Sequence, residues 1–161
     1  MFFKKYVFGD TAVYYIETPV EGHEGKTMIG LAAYPADWAL GEDANLCCDS
    51  LVQVAFTGDE GLIDYTQGVT MRNREGTLLN VESQAADEKG VITLLSDARG
   101  NLYTHILSYS AGTGVFTVQI VYENASEEAR TLEMLESLSL SGIIAPSVGV
   151  NSTIGLRLHR M

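Results

Sequence analysis

VFTVQIVY, the stretch from Val115 to Tyr122, alternates between apolar and polar side chains. Successive side chains of an extended strand point to opposite faces of its sheet. One face of this stretch carries the apolar residues Phe116, Val118, Ile120 and Tyr122. Thr117 and Gln119 fall on the other face. The pattern predicts a half-buried antiparallel strand.

Shorter runs with the same two-residue period occur along most of the chain. They are Ala12–Glu17, Thr27–Ala33, Leu51–Thr57, Leu78–Gln84, Val91–Ser96, Leu102–Tyr109 and Ile154–His159. Turn-forming residues separate them at Gly58–Asp59, Lys89–Gly90, Arg99–Asn101 and Ala111–Gly114. Because many strands follow one another without helical spacers, the sequence predicts an all-β, mainly antiparallel β-sandwich. Residues 1–161 are expected to form one domain.

Ser126–Leu138 has two competing interpretations. Its Ser start, its acidic first turn and its apolar residues at three-residue steps favour an amphipathic helix. Those apolar residues are Ala129, Leu132, Leu135 and Leu138. As a strand, the same segment places Leu132, Met134, Leu138 and Leu140 on one face, with Glu136 as an interruption. Local signals alone favour the helix.

The composition narrows the classes of partner. The chain has 10 Lys and Arg against 21 Asp and Glu, for a net charge of −11. Such a charge repels phosphate backbones and anionic lipids, so nucleic acid and membrane surfaces are not expected partners, whereas a neutral sugar is compatible. Met1–Asp10 lacks the long apolar core of a secretion signal, and no apolar run is long enough to span a bilayer. We therefore expect a cytoplasmic protein.

Metal and cofactor sites are not predicted. Cys47 and Cys48 are adjacent, so on a strand they point to opposite faces and are expected to be free thiols. His23, His105 and His159 lack the spacing of zinc ligands.

Four segments carry a family resemblance. They are DSLVQVAFTGDEGLIDYTQGVTMRNR at Asp49–Arg74, TLLNVESQ at Thr77–Gln84, TLEMLESLSLSGI at Thr131–Ile143 and GLRLHRM at Gly155–Met161. Together they resemble, in this order, the N-terminal β-sandwich domain of glycoside hydrolase family 36, the α-galactosidases. The resemblance covers residues 49–161, while the first forty residues match loosely. It places a strand from Thr131 onward, and this interpretation is preferred to the helix.

The resemblance implies a non-catalytic part of a larger enzyme. In that family the sandwich belongs to a galactose-mutarotase-like supersandwich, and two aspartates on a later (β/α)₈ barrel hydrolyse terminal α-galactosides. Neither aspartate has a counterpart here, and the chain is expected to hold about the first half of the N-terminal region. Its implied role is to buttress the missing catalytic barrel, to help form a homo-oligomer and to wall one side of the sugar pocket.

The acidic residues do not form an evident catalytic pair. A retaining glycosidase needs two carboxyl groups about 5 Å apart. The adjacent acidic pairs lie in predicted turns, at Glu42–Asp43, Asp59–Glu60, Asp87–Glu88 and Glu127–Glu128. We expect these pairs to be solvated, and no catalytic residue is predicted.

The best candidates for sugar contact lie in YTQGVTMRN, residues 65–73. Sugar recognition uses an aromatic face and planar groups with several hydrogen-bonding atoms, which here are Tyr65, Gln67, Arg72 and Asn73. The alternative is structural: Gly68 and Asn73 form a turn, Met71 packs in the core, and Arg72 pairs with a carboxylate.

Trp38 is the only tryptophan and is a further candidate, either as a platform for a sugar ring or as half-buried packing. Two other functions remain open. One is a free-standing carbohydrate-binding sandwich module. The other is an isomerase similar to the aldose mutarotases, in which a His and a Glu act as acid and base.

Overall fold

The computed structural model describes residues 2–19, 24–25, 27–37, 50–59, 61–62, 72–73 and 78–138. These residues form eleven strands and no helix. The strands are β1 Phe2–Phe8, β2 Thr11–Pro19, β3 Thr27–Pro35, β4 Gln53–Phe56, β5 Gly61–Leu62, β6 Arg72–Asn73, β7 Asn80–Asp87, β8 Gly90–Ser96, β9 Leu102–Ser110, β10 Val115–Glu123 and β11 Leu132–Glu136. The all-β prediction is confirmed. The predicted strand Ile154–His159 and the cysteines Cys47 and Cys48 lie outside the described residues.

All described strand pairs are antiparallel. The largest sheets have the strand orders β1-β2-β3 and β10-β9-β8-β7, and two-stranded sheets are formed by β11-β4 and by β5-β6. One core joins buried residues of the three-stranded sheet, of β4 and the two residues before it, and of the four-stranded sheet and Leu79, which directly precedes β7. They are Phe8, Val13, Tyr15, Ile29, Leu31, Leu51, Val52, Val54, Phe56, Leu79, Val91, Leu95, Tyr103 and Leu107. Elements of different sheets pack on one core, as in a sandwich.

The four-stranded sheet follows the two-residue period of its sequence. In β8 and β9 alternate residues are buried, and in β10 the predicted apolar face packs against the core. β10 pairs with β9 from Val115 opposite Ser110 to Glu123 opposite Leu102, without an irregularity. The apolar face predicted for β10 is therefore confirmed.

Strand β1 is absent from the sequence-based prediction. Two adjacent lysines, Lys4 and Lys5, interrupt its alternation, and its pairing with β2 shifts in register between Phe2 and Lys4. Tyr6 and Phe8 nevertheless pack on the core. A bulge near the start of a strand hides the period on which the prediction depends.

Strand β11 confirms the extended interpretation of the segment after Thr131 and corrects its predicted face. The register shifts between Leu132 and Met134, so that Leu132 lies opposite Phe56 and Leu135 opposite Val54. Because Phe56 and Val54 are two residues apart on one strand, their partners share a face despite their three-residue spacing. The bulge thus places a helix-like spacing on a strand. The predicted common face for Leu132 and Met134 is wrong.

Candidate functional site

The sequence-predicted sugar contacts fall largely beyond the described ranges. Trp38, Tyr65 and Gln67 lie outside the described residues. The backbone of Arg72 and Asn73 forms β6, which pairs with β5, but their side chains are not among those described. The predicted sugar-binding role of these five residues therefore remains a prediction.

A hollow of about 610 Å³ lies between the β1–β2 turn and the end of β3. Its lining residues are Asp10, Thr11, Ala33, Tyr34, Pro35, Ala36 and Asp37. The main-chain N–H of Ala36 donates a hydrogen bond to the carbonyl oxygen of Asp10 at 2.7 Å, which joins the turn to the strand end. Carboxylates at such a rim can accept hydrogen bonds from sugar hydroxyls. The ring of Tyr34 is buried, so it does not present a face for stacking.

Asp97 organises the loop between β8 and β9. Its Oδ1 accepts hydrogen bonds from the main-chain N–H groups of Arg99 and Asn101, both at 2.9 Å. Its Oδ2 accepts one from Asn101 Nδ2 at 2.8 Å and one from the Tyr103 hydroxyl at 2.9 Å. Burial, followed by the hydrogen bond to Asp97, raises the pKa of Tyr103. Since the carboxylate already accepts four hydrogen bonds, its role is structural.

Arg99 ties this loop to the loop after β4. Its Nη2 lies 2.7 Å from Asp59 Oδ1 in an ion pair, and its guanidinium lies 5.6 Å from the centre of the Phe56 ring. Asp59 Oδ2 also accepts the main-chain N–H of Phe56 at 3.1 Å. The Asp59 side chain is 4% exposed. The expectation that Asp59 is solvated is therefore wrong, because an arginine forty residues later in the sequence covers it.

A row of polar side chains crosses the buried face of the four-stranded sheet. Gln84, Thr93 and His105 lie opposite one another on β7, β8 and β9. Gln84 Nε2 donates to Thr93 Oγ1 at 2.9 Å, and the Tyr6 hydroxyl donates to Gln84 Oε1 at 3.0 Å. These partly buried bonds join the two large sheets through polar groups at the margin of the core.

In the described part of the chain, His105 is the member of this row without a hydrogen-bond partner. It is 0% exposed, and neither ring nitrogen has a partner among the described residues. Burial lowers the pKa of His105 from 6.5 to about 4, since the charged imidazolium is disfavoured away from water. The ring is therefore neutral at pH 7. A wholly buried histidine cannot act as the acid or base for a substrate in solvent.

The opposite face of the four-stranded sheet, here called the outer face, is exposed and uncharged at its centre. The strand registers place two rows there, Ala85–Ile92–Ile106–Gln119 and Ser83–Leu94–Thr104–Val121. None of these eight residues is charged, although charged residues make up 19% of the chain. Ile92 is 51% exposed. Depletion of charge around exposed apolar residues is typical of a protein–protein interface core.

A shallow hollow of about 240 Å³ lies beside the outer face, lined in part by Ala85, Gly90, Ile92 and Ile106. Gly90 has a φ of 153°, which L side chains rarely adopt, and a Cβ atom there would overlap the carbonyl oxygen of Leu107. The close approach of β8 to β9 therefore requires glycine at this position.

The described part of the chain contains no group of three His, Cys, Asp or Glu side chains placed to hold a metal ion. It also contains no helix long and apolar enough to cross a bilayer. Comparison with protein-family models, with curated proteins and with solved structures found no match. The resemblance to glycoside hydrolase family 36 therefore depends on the quoted sequence segments alone.

Proposed function

We propose that this chain is the non-catalytic β-sandwich part of a cytoplasmic α-galactosidase that hydrolyses terminal α-galactosides. In this role it supports the catalytic barrel and the oligomer and walls one side of the sugar pocket. Two kinds of observation support the proposal. The four sequence segments resemble the N-terminal domain of glycoside hydrolase family 36, and the described residues are all-β.

The outer face carries the proposal. A domain that supports another domain needs an exposed, uncharged and partly apolar surface, because charged groups are costly to desolvate at an interface. The outer face has this composition in a chain of net charge −11. We assign the catalytic barrel of the α-galactosidase as its occupant, and the hollow beside Gly90, which Asp87 and Lys89 also line, as one of its contact points.

The buried carboxylates fit a supporting role better than a catalytic one. Asp97 accepts four hydrogen bonds within its own loop, and Asp59 is paired with Arg99. A glycosidase dyad must instead face the scissile bond from both sides.

The proposal can be tested by introducing a charged residue on the outer face in the full natural gene product. Ile92→Asp should lower the melting temperature and the α-galactosidase activity, because the carboxylate would be desolvated against the barrel. Val7→Asp is the matched control, since Val7 is also an exposed strand residue, at 55% against 51% for Ile92. Equal behaviour of the two variants, or full activity of Ile92→Asp, would contradict the assignment.

A carbohydrate-binding module is the second candidate, and the hollow at Asp10 and Asp37 favours it. Trp38 follows Asp37 directly in the sequence. Calorimetric titration of the chain with galactose should then show binding that is lost in Asp37→Asn and in Trp38→Ala. Absence of heat in the unmodified chain would exclude this candidate for galactose. The mutarotase-like alternative gains no support from His105, which is buried.

A further inference from the structure

We infer that strand β10 is an interaction edge that pairs antiparallel with β10 of a second copy of this chain. Val115–Glu123 is the outermost strand of the four-stranded sheet, and within the described ranges no strand pairs with its second edge. The main-chain N–H and C=O groups along such an edge can accept another strand. This inference specifies the contact between copies that the oligomer of the proposed function leaves open, and its tests measure dimerisation of the chain itself and not α-galactosidase activity.

Other long outer strands carry features that discourage pairing. β1, β7 and β11 each contain a register irregularity and charged side chains, namely Lys4 and Lys5, Glu82 and Asp87, and Glu133 and Glu136. The carbonyl oxygen of Ile29 on β3 accepts a hydrogen bond from the main-chain N–H of Leu51 at 2.7 Å. Bulges and charges protect edges from association, and a covered edge is unavailable.

β10 has no register irregularity, and its one charged residue is at its end. Its nine residues pair regularly with β9, contain no proline, and carry a single charge at Glu123. It is therefore the long edge that is best suited to accept a strand.

The sequence of β10 is symmetric in residue type about Gln119, which selects a second copy as the partner. In an antiparallel pair centred on this residue, Gln119 lies opposite its own counterpart. Phe116 then lies opposite Tyr122, Val118 opposite Ile120, and Thr117 opposite Val121. Aromatic residues thus meet aromatic residues, and β-branched residues meet β-branched residues, which stabilises cross-strand pairs.

The position of the charged residue Glu123 and the partial burial of the inner face are both compatible with this register. Glu123 falls opposite Val115 of the other copy, and the two Glu123 residues are about 27 Å apart at 3.4 Å per residue. The inner-face residues of β10, from Phe116 to Tyr122, are only half-buried at this edge. A second β10 would cover them and continue the four-stranded sheet into one of eight strands.

Cysteine crosslinking of the chain tests the register. Gln119→Cys places two thiols opposite each other, with Cα atoms about 4.5–5.5 Å apart, within disulfide range. Mild oxidation should convert most of this variant into a covalent dimer. Thr117→Cys is the matched control, because its two thiols would be about 14 Å apart along the paired strands. The unmodified chain, oxidised in parallel, controls for Cys47 and Cys48.

Sedimentation equilibrium tests the edge itself. The unmodified chain should be dimeric, and Gln119→Lys should raise the dimer dissociation constant about fivefold, since two like charges would meet at the two-fold axis. Thr104→Lys places the same charge on the outer face of the neighbouring strand and should leave the dimer intact. Circular dichroism checks that each variant keeps its strand content.

Several results would overturn the inference. A monomeric unmodified chain at high concentration would do so, as would equal crosslinking of the two cysteine variants. A dimer broken by Thr104→Lys and not by Gln119→Lys would show association through the outer face instead. If the chain stays monomeric but binds a different protein along β10, that protein and not a second copy is the partner of this edge.

Discussion

Replacement of His105 by leucine should remove a defined part of the acid sensitivity of this fold. The folded-state pKa of His105 is about 4, against an ordinary value of 6.5. The unfolded chain therefore binds a proton more readily, so stability is fully present above pH 6.5 and is lost as the pH falls toward 4. With 1.36 kcal/mol for each pKa unit, the contribution of His105 lowers stability by about 2.5 kcal/mol between pH 8 and pH 4.5.

The assay is urea unfolding of both proteins at pH 8 and at pH 4.5, followed by circular dichroism. Other groups titrate alike in both proteins, so the difference between their pH-dependent losses isolates His105. At pH 8 the variant should be about as stable as the unmodified chain, because neither ring nitrogen has a partner in the described part of the chain. Identical losses in both proteins would refute the reasoning, since His105 would then be solvated or partnered in the folded state.

Four further substitutions have different expected effects, three on the free energy of unfolding and one on the yield of folded protein. Asp97→Ala should destabilise the fold by about 4 kcal/mol, because four donors lose their acceptor. Asp87→Ala removes an exposed acceptor of two main-chain N–H groups and should cost about 1 kcal/mol. Arg99→Met should cost about 2 kcal/mol, because the largely buried carboxylate of Asp59 would lose its ion pair with Arg99. Gly90→Ala should give little folded protein on expression, and near-normal yield would show that β8 can move away from β9.

The sequence predicted the elements whose burial alternates without interruption. β8, β9 and β10 follow a two-residue period because one side of each strand packs on the core. β2 and β3 were also predicted as strands, but each buries five successive residues, so their burial does not follow that period. β1 and β11 contain register irregularities, and a bulge shifts the period within a strand. The family resemblance, and not the local pattern, favoured the strand after Thr131.

The polar interactions could be predicted from the sequence only in part. Asp97 begins the segment DARGN, in which Asp, Gly and Asn are typical turn residues, so the loop could be predicted but not the burial of the carboxylate. The pairing of Arg99 with Asp59 joins residues forty positions apart, and no local signal predicts it. The alternation of β9 does place His105 on the same face as Tyr103 and Leu107, so its burial could have been inferred.

The α-galactosidase assignment is tested most directly by hydrolysis of an aryl α-galactoside. The full natural gene product that contains these 161 residues should release the aryl group, and the purified 161-residue chain should not, because the resemblance to glycoside hydrolase family 36 implies that the two carboxyl groups of the reaction belong to a separate barrel. Turnover by the purified chain in proportion to its concentration would contradict the account, as would a folded full product that does not hydrolyse any α-galactoside.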